Sequence, residues 1–204
     1  LISSHVLQEN ASGQFSIANF YRRRVKRLAL PMIAVIAATV VIGSMLMTSA
    51  DAKAVSNSAL FSLAGLGNVY YWLYQDIGYF ANDSNQLPLL HLWSLGVEVQ
   101  FYLIWPVLLL RLDRFTHSRP ILIWGGLATL SFVFDQLWFH HDQSFVYYML
   151  PSRVGELIVG TLIAVIVFRK IVIPERAAGI AAPVGLALVI TSLLLIDEGP
   201  IYPG

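Results

Sequence analysis

Long apolar runs, broken by short polar segments that carry most of the charge, set the pattern of this chain. A helix that crosses the hydrocarbon core of a bilayer needs about 20 apolar residues. Runs of roughly that length recur at 28–48, 92–110, 121–139, 145–168 and 177–196, and each is predicted to be a membrane helix. The run at 60–74 is shorter and contains Gly65, Gly67, Asn68 and several tyrosines. Irregular or polar backbone at membrane depth is tolerated only where protein or a wet cavity covers it. This piece is therefore expected to be re-entrant or interfacial. Residues 1–20 are mixed and polar, and read as a loop with the end of an earlier helix. The expected fold class is all-α, a polytopic transmembrane helical bundle with a re-entrant segment.

Composition agrees. Hydrophobic residues make up 57% of the chain and charged residues 12%, against about 25% charged in a soluble domain. The net charge of +1 gives no sign of a nucleic-acid partner, and the absence of cysteine removes disulfides and thiolate metal sites. What matters is where the positive charge lies. Lys and Arg concentrate in cytoplasmic loops. Arg22–Arg27, Arg111–Arg119 and Arg169–Arg176 are accordingly expected inside, and Asp51–Asn57, His140–Gln143 and Asp197–Gly204 outside. This alternation works only if 60–74 begins and ends on the outer side. The first residue is Leu1 and the last stretch is "GPIYPG", so the chain reads as one fragment of a membrane domain, with N-terminal helices and a C-terminal part beyond it.

The segment "HLWSLGVEVQFYLIWPVLLLR" carries the first candidate chemistry. At about 100° per residue, His91, Ser94, Glu98 and Tyr102 fall on one stripe of a helix whose other faces are apolar. An ionised side chain in a transmembrane helix costs about 2.5–3.5 kcal/mol on insertion scales, and such groups usually face a bundle interior or a wet cavity. A hydrogen bond between helices would account for the stripe structurally. A buried general base or proton carrier would account for it functionally. His91 and Glu98 are separated by about 10.5 Å of helical rise, too far for a direct hydrogen bond or a shared metal ion. Ser94 is a poor nucleophile candidate, because a helical serine usually bonds back to a carbonyl one turn earlier.

A second candidate is "FYRRRVKRLALP", with Arg22, Arg23, Arg24, Lys26 and Arg27 in six residues. It serves as a topological anchor on the plain reading, and as a phosphate site on the sharper one, since arginine forks grip phosphate oxygens in bidentate fashion. In "PSRVGELIVG", Arg153 and Glu156 are spaced to pair on one helix face. "HHDQ" is a weak metal motif, because the neighbours His140 and His141 point to different faces; no metal site is predicted.

Three pieces in this order resemble the acyltransferase 3 family of integral membrane O-acyltransferases: Phe20-Tyr21 with "RRRVKR", then "PLLHLWSLGVEVQFYLIWP", then "RVGELIVG". The resemblance implies an enzyme of the cell envelope that moves an acyl group, often acetyl, from acyl-CoA (acetyl-CoA) on the cytoplasmic side to a carbohydrate hydroxyl at the outer face. The acceptor would be lipopolysaccharide O-antigen, peptidoglycan or an exopolysaccharide, and the location the bacterial cytoplasmic (inner) membrane. By the same resemblance Arg23, Arg24 and Arg27 would bind the CoA phosphates and His91 and Glu98 would belong to the central catalytic site. Arg153 and Glu156 match a further motif of less defined role. The family often has a second glutamate where this chain has Val99, and its proposed catalytic histidine stands in a helix that would precede Leu1. The residues alone leave two other classes open. One is a proton-coupled transporter of a glycan or small solute, which a buried Glu and a re-entrant segment would also suit. The other is a non-catalytic membrane subunit.

Overall fold

The computed structural model describes residues 2–74, 87–115, 119–172 and 174–195; the side chains of 114, 115, 176–178 and 195 are not described. All regular structure among these residues is helical, in the order α1 (Ile2–Ala11), α2 (Ile17–Leu46), α3 (Ser49–Leu63), α4 (Gly67–Tyr74), α5 (Leu92–Phe115), α6 (Pro120–Trp138), α7 (Gln143–Tyr148), α8 (Leu150–Phe168) and α9 (Glu175–Leu195). Among the described residues, four segments are long and apolar enough to cross a bilayer: Ile17–Leu46, Leu92–Asp113, Pro120–Trp138 and Gln143–Phe168. The protein is a multi-pass membrane protein. Many large apolar side chains on these helices lie on the outside, Leu30, Leu46, Leu122 and Val167 among them, as lipid-facing surfaces require.

Among the places where helix boundaries differ from the sequence reading, three have a clear local reason. Residues 1–20 hold more helix than expected: α1 occupies Ile2–Ala11, and α2 begins at Ile17, so the whole basic cluster is helical. Ser16 caps α2 by accepting from the Asn19 amide. Asp51–Asn57, expected as an external loop, lies in α3, which Thr48 caps by accepting from the Asp51 amide. The expected helix 145–168 is two helices that meet at Met149, ahead of Pro151, where extended backbone interrupts the ladder. Asp142 caps α7 through the Phe145 amide at 2.8 Å and also accepts from the Trp72 indole at 2.9 Å. The "HHDQ" loop is thus an N-cap, and no cluster of metal-binding side chains is present among the described residues.

Contacts along the helices fix their directions. The α8 end meets the α5 end, where Arg169 pairs with Asp113. Arg153 near the α8 start meets Trp93 near the α5 start. These two helices run the same way, and α6, which connects them in the chain, packs against α8. Helix α1 packs into the same core: the Trp105 indole donates to Ser3 Oγ at 3.0 Å, and Ser3 shares a 2.7 Å hydrogen bond with Thr161. Val6, Leu7, Phe101, Trp105, Leu109, Trp124 and Val165 close around them.

Helices α3 and α4 form a hairpin. Tyr70 on α4 donates to the Ala54 carbonyl on α3, and Trp72 reaches Asp142 beyond the α6 end. At the tip, Gly65 has φ +73°, and a Cβ there would stand 2.9 Å from Val99, about a third of the way along α5. Neither helix is long enough to span, since 15 and 8 residues reach only about 22 and 12 Å. The hairpin therefore descends beside α5 and returns.

A buried polar network pins the hairpin. Gln100 Nε2 donates to Asn68 Oδ1 at 2.7 Å and to the Gly65 carbonyl at 3.1 Å, and Asn68 Nδ2 donates to the Tyr148 carbonyl at 3.1 Å. Asn68 is fully buried, so these bonds satisfy an amide that would otherwise be costly. Gly96 lets α4 and α5 approach this closely: a Cβ there would lie 3.2 and 3.3 Å from the backbone nitrogens of Asn68 and Gly67. Backbone cannot swing aside as a side chain can. Gly96→Val is expected to destabilise the protein by about 1–3 kcal/mol, seen as a lower unfolding midpoint in detergent. An unchanged midpoint would show that α4 is not held against α5.

The direction of α8 gives a topology test. Single cysteines at Gln143 and Lys170, which flank the α7–α8 segment, are expected to react with a membrane-impermeant thiol reagent from opposite faces, Gln143 from the outer and Lys170 from the cytoplasmic side. Labelling of both from one face would remove the assignment of this segment as a span.

Candidate active site

The stripe on α5 faces the flank of the bundle. His91, Ser94 and Glu98 are exposed there, and Tyr102 is half-buried. Ser94 Oγ donates to the His91 carbonyl at 3.2 Å, the back-bond expected of a helical serine. The Tyr102 hydroxyl donates to Glu98 Oε2 at 2.9 Å, so the carboxylate is held by a neighbour one turn away. No hydrogen bond or ion pair joins His91 to Glu98 among the described residues, as their separation along the helix requires.

The same tyrosine connects the stripe to the basic cluster. The Arg24 guanidinium stands over the Tyr102 ring at 5.2 Å and the Phe20 ring at 5.5 Å, geometry that favours a cation on the ring face. Tyr21 fixes the register of α2 on α5 by donating to the Leu103 carbonyl at 2.6 Å. These contacts place the start of α2 against the middle of α5, about 20 Å of helix short of Phe115. The basic cluster is recessed relative to Arg111, where charge counting alone would set the two side by side.

The arginines divide by environment. Arg23 forms a two-pronged pair with Glu9, at 2.8 and 3.0 Å. Arg24 is the half-buried member, on the aromatic faces. Arg22 and Arg27 are exposed, and neither forms an ion pair with a described carboxylate. Of the three candidates for phosphate, Arg23 already has a carboxylate partner, while Arg24 and Arg27 retain donors that a ligand could use.

Arg153 and Glu156 do pair, at 3.0 Å, but away from this stripe. Arg153 is packed against Trp93 and Tyr147 at 5.8 and 5.3 Å and donates to the Tyr147 carbonyl. Trp93 and Gln100 lie on the α5 face opposite to Glu98, so α5 separates this pair from the Glu98 site.

An apolar cavity of about 210 Å³ opens beside Arg24 and Tyr102. Its walls come from α2 (Leu28, Ala29, Met32), the hairpin tip (Ala64, Gly65) and α5 (Val99). Sequence reasoning missed this cavity and the Asn68–Gln100 network beneath it. The only sequence signals were the polar Asn68 and Gln100 within apolar runs.

An exposed carboxylate, a cationic cluster and an apolar cleft adjoin on the flank of a membrane helical bundle. The family comparison makes the class specific: the acyltransferase domain model matches residues 1–203, and the chain belongs to that acyltransferase family. It is 31% identical over 97% of its length to an uncharacterised protein of Haemophilus influenzae, of which it covers 84%. It is also 31% identical, over 80% of its length, to a putative O-acetyltransferase of Staphylococcus aureus. With the peptidoglycan O-acetyltransferase OatA of Listeria monocytogenes it shares 29% identity over 95% of its length. The chain spans 28% and 32% of the length of these two named O-acetyltransferases. No solved structure matches.

Proposed function

We propose that the protein moves an acetyl or other short acyl group from acyl-CoA, bound from the cytoplasmic side of the bacterial inner membrane, to a carbohydrate hydroxyl at the outer face. The observation that carries this reading is the line Arg24–Tyr102–Glu98, whose first two members also line an apolar cavity. A cation, a positioned carboxylate and apolar space adjoin on one turn of α5. The names of the S. aureus and L. monocytogenes relatives support transfer of acetyl to oxygen, and the latter makes peptidoglycan one candidate acceptor beside O-antigen and exopolysaccharide.

In the proposed reaction the acceptor oxygen attacks the thioester carbonyl carbon and the carbon–sulfur bond breaks. The hydroxyl proton passes to a base, and CoA leaves as the thiol once it regains a proton. Arg24 and Arg27 hold the donor phosphates, with Arg23 contributing only if it releases Glu9. Glu98 stabilises the base that takes the proton. In that acyltransferase family the proposed catalytic residue is a histidine, and the open flank at Glu98 would receive its imidazole. A carboxylate beside it would fix its tautomer and stabilise the imidazolium. His91, nearer the outer end of α5, would position the acceptor. Arg153 and Glu156, on the far side of α5, would brace α8 against α5 and α7 through Trp93 and Tyr147. Radiolabelled acetyl-CoA supplied to the cytoplasmic face of vesicles containing the full-length protein is the direct test: label should appear on envelope glycan, and failure to transfer any acyl group would remove the reading.

A further inference from the structure

A second polar cluster lies at the outer ends of α5, α6 and α8, on the face of α5 away from Glu98. The Arg153 guanidinium stands over two rings, 5.8 Å from the centroid of Trp93 and 5.3 Å from that of Tyr147, and the rings are 4.8 Å apart. Both are half-buried, so part of each faces outward. The Glu156 side chain is 56% exposed, and its Oε1 accepts from Arg153. Asp135 on α6 is close enough to interact electrostatically with both. An interfacial belt accounts for a Trp and a Tyr at this level, but not for three charged groups gathered beside them from two helices. Their chemistry selects an occupant. A guanidinium has five N–H donors, and Arg153 directs two at the Tyr147 carbonyl and Glu156. The others suit hydroxyl or amide oxygens, and the exposed carboxylate accepts from hydroxyl or amide hydrogens. The electronegative ring faces take the C–H side of a sugar ring. Two carboxylates against one guanidinium leave an excess of negative charge, which disfavours uronic acids and phosphates.

On this basis, and resting on the reading of acyl transfer to a glycan, we propose that Trp93, Tyr147, Arg153 and Glu156 form a remote subsite for a neutral sugar of a polymeric acceptor, an N-acetylhexosamine above all. The N-acetyl amide adds a donor that suits Glu156 and an acceptor that suits Arg153. The sugar held here is not the one that is acylated. Trp93 stands about 7.5 Å of rise from Glu98, on the other face of a helix about 10–12 Å across. His91 shares the Glu98 face. The polymer therefore crosses the outer end of α5, with one unit on Trp93 and a later unit passing His91 toward Glu98. A single sugar cannot engage both places at once, so the subsite favours polymer over monosaccharide.

The test is the affinity of purified full-length protein for N-acetylglucosamine and for its β-1,4-linked tetramer. In the wild type the tetramer is expected to bind about tenfold or more tightly than the monosaccharide, because linked units occupy both places. Glu156→Gln removes a charged acceptor, and Trp93→Phe shrinks the platform while keeping an aromatic in the packing. Each should cut the tetramer's advantage by about 2- to 10-fold, the worth of a hydrogen bond or a ring contact. Loss of fold cannot account for the Glu156→Gln effect, since exposed ion pairs contribute little to stability. Equal binding of both sugars by the wild type, or an advantage that survives both substitutions, would overturn the subsite. A wild type that transfers no acyl group from acetyl-CoA to the tetramer or to any envelope glycan would instead overturn the reading on which it rests.

Discussion

Replacing Glu98 by glutamine in the full-length protein is expected to lower acyl transfer by about 10²–10⁴-fold, the usual worth of general-base assistance. The substitution keeps the shape and leaves an oxygen that can still accept from Tyr102. It removes the negative charge that would stabilise a protonated base. Donor binding should change little, because the arginines that would hold the phosphates lie on α2 and meet Glu98 only through Tyr102. His91→Ala should cost less, since His91 is exposed near the outer end of α5 and would position acceptor alone. Mass spectrometry of envelope glycan from cells carrying wild type or Glu98→Gln reads the result. Acylation that persists undiminished in Glu98→Gln would remove Glu98 from the mechanism. A transporter predicts another pattern, with pH-driven uptake lost in the variant and no acylated product even in the wild type.

Arg24→Ala should weaken acyl-CoA binding by about 10- to 150-fold, the equivalent of losing a charge-assisted phosphate contact worth roughly 1.5–3 kcal/mol. Part of any loss could be structural, because Arg24 also packs on Phe20 and Tyr102, and such contacts contribute about 0.5–1 kcal/mol at exposed sites. Arg24→Lys separates the two effects: it keeps the cation but loses the planar fork, so it should restore only part of the affinity. Arg27→Ala should weaken binding with little effect on stability, because Arg27 is exposed. Arg23→Ala should weaken binding less, its guanidinium being engaged by Glu9. If neither Arg24→Ala nor Arg27→Ala alters acyl-CoA affinity in a titration, the cluster serves as an anchor alone.

The helical bundle, its main spans and the stripe from His91 to Tyr102 could be read from sequence because each rests on local regularities. Apolar run length reports the bilayer, and spacing along one helix fixes which side chains share a face. The resemblance to membrane acyltransferases rested on short contiguous motifs, and the family comparison agrees with it. Helix ends were less legible, because they depend on caps such as Ser16 and Thr48 that compete with other uses of the same side chains. The tertiary structure decided how these pieces meet. Charge counting could group Arg22–Arg27 with Arg111–Arg119, but only the seating of α2 on α5 through Tyr21 sets Arg24 beside Tyr102, 78 residues later in the chain. Only packing puts Arg153 and Glu156 on the opposite side of α5 from Glu98. The cavity belongs to no segment: α2, the hairpin tip and α5 each supply one wall. Side-chain periodicity along a helix says which face is polar, but not which distant helix will cover it, because that choice is made by the summed fit of non-local surfaces.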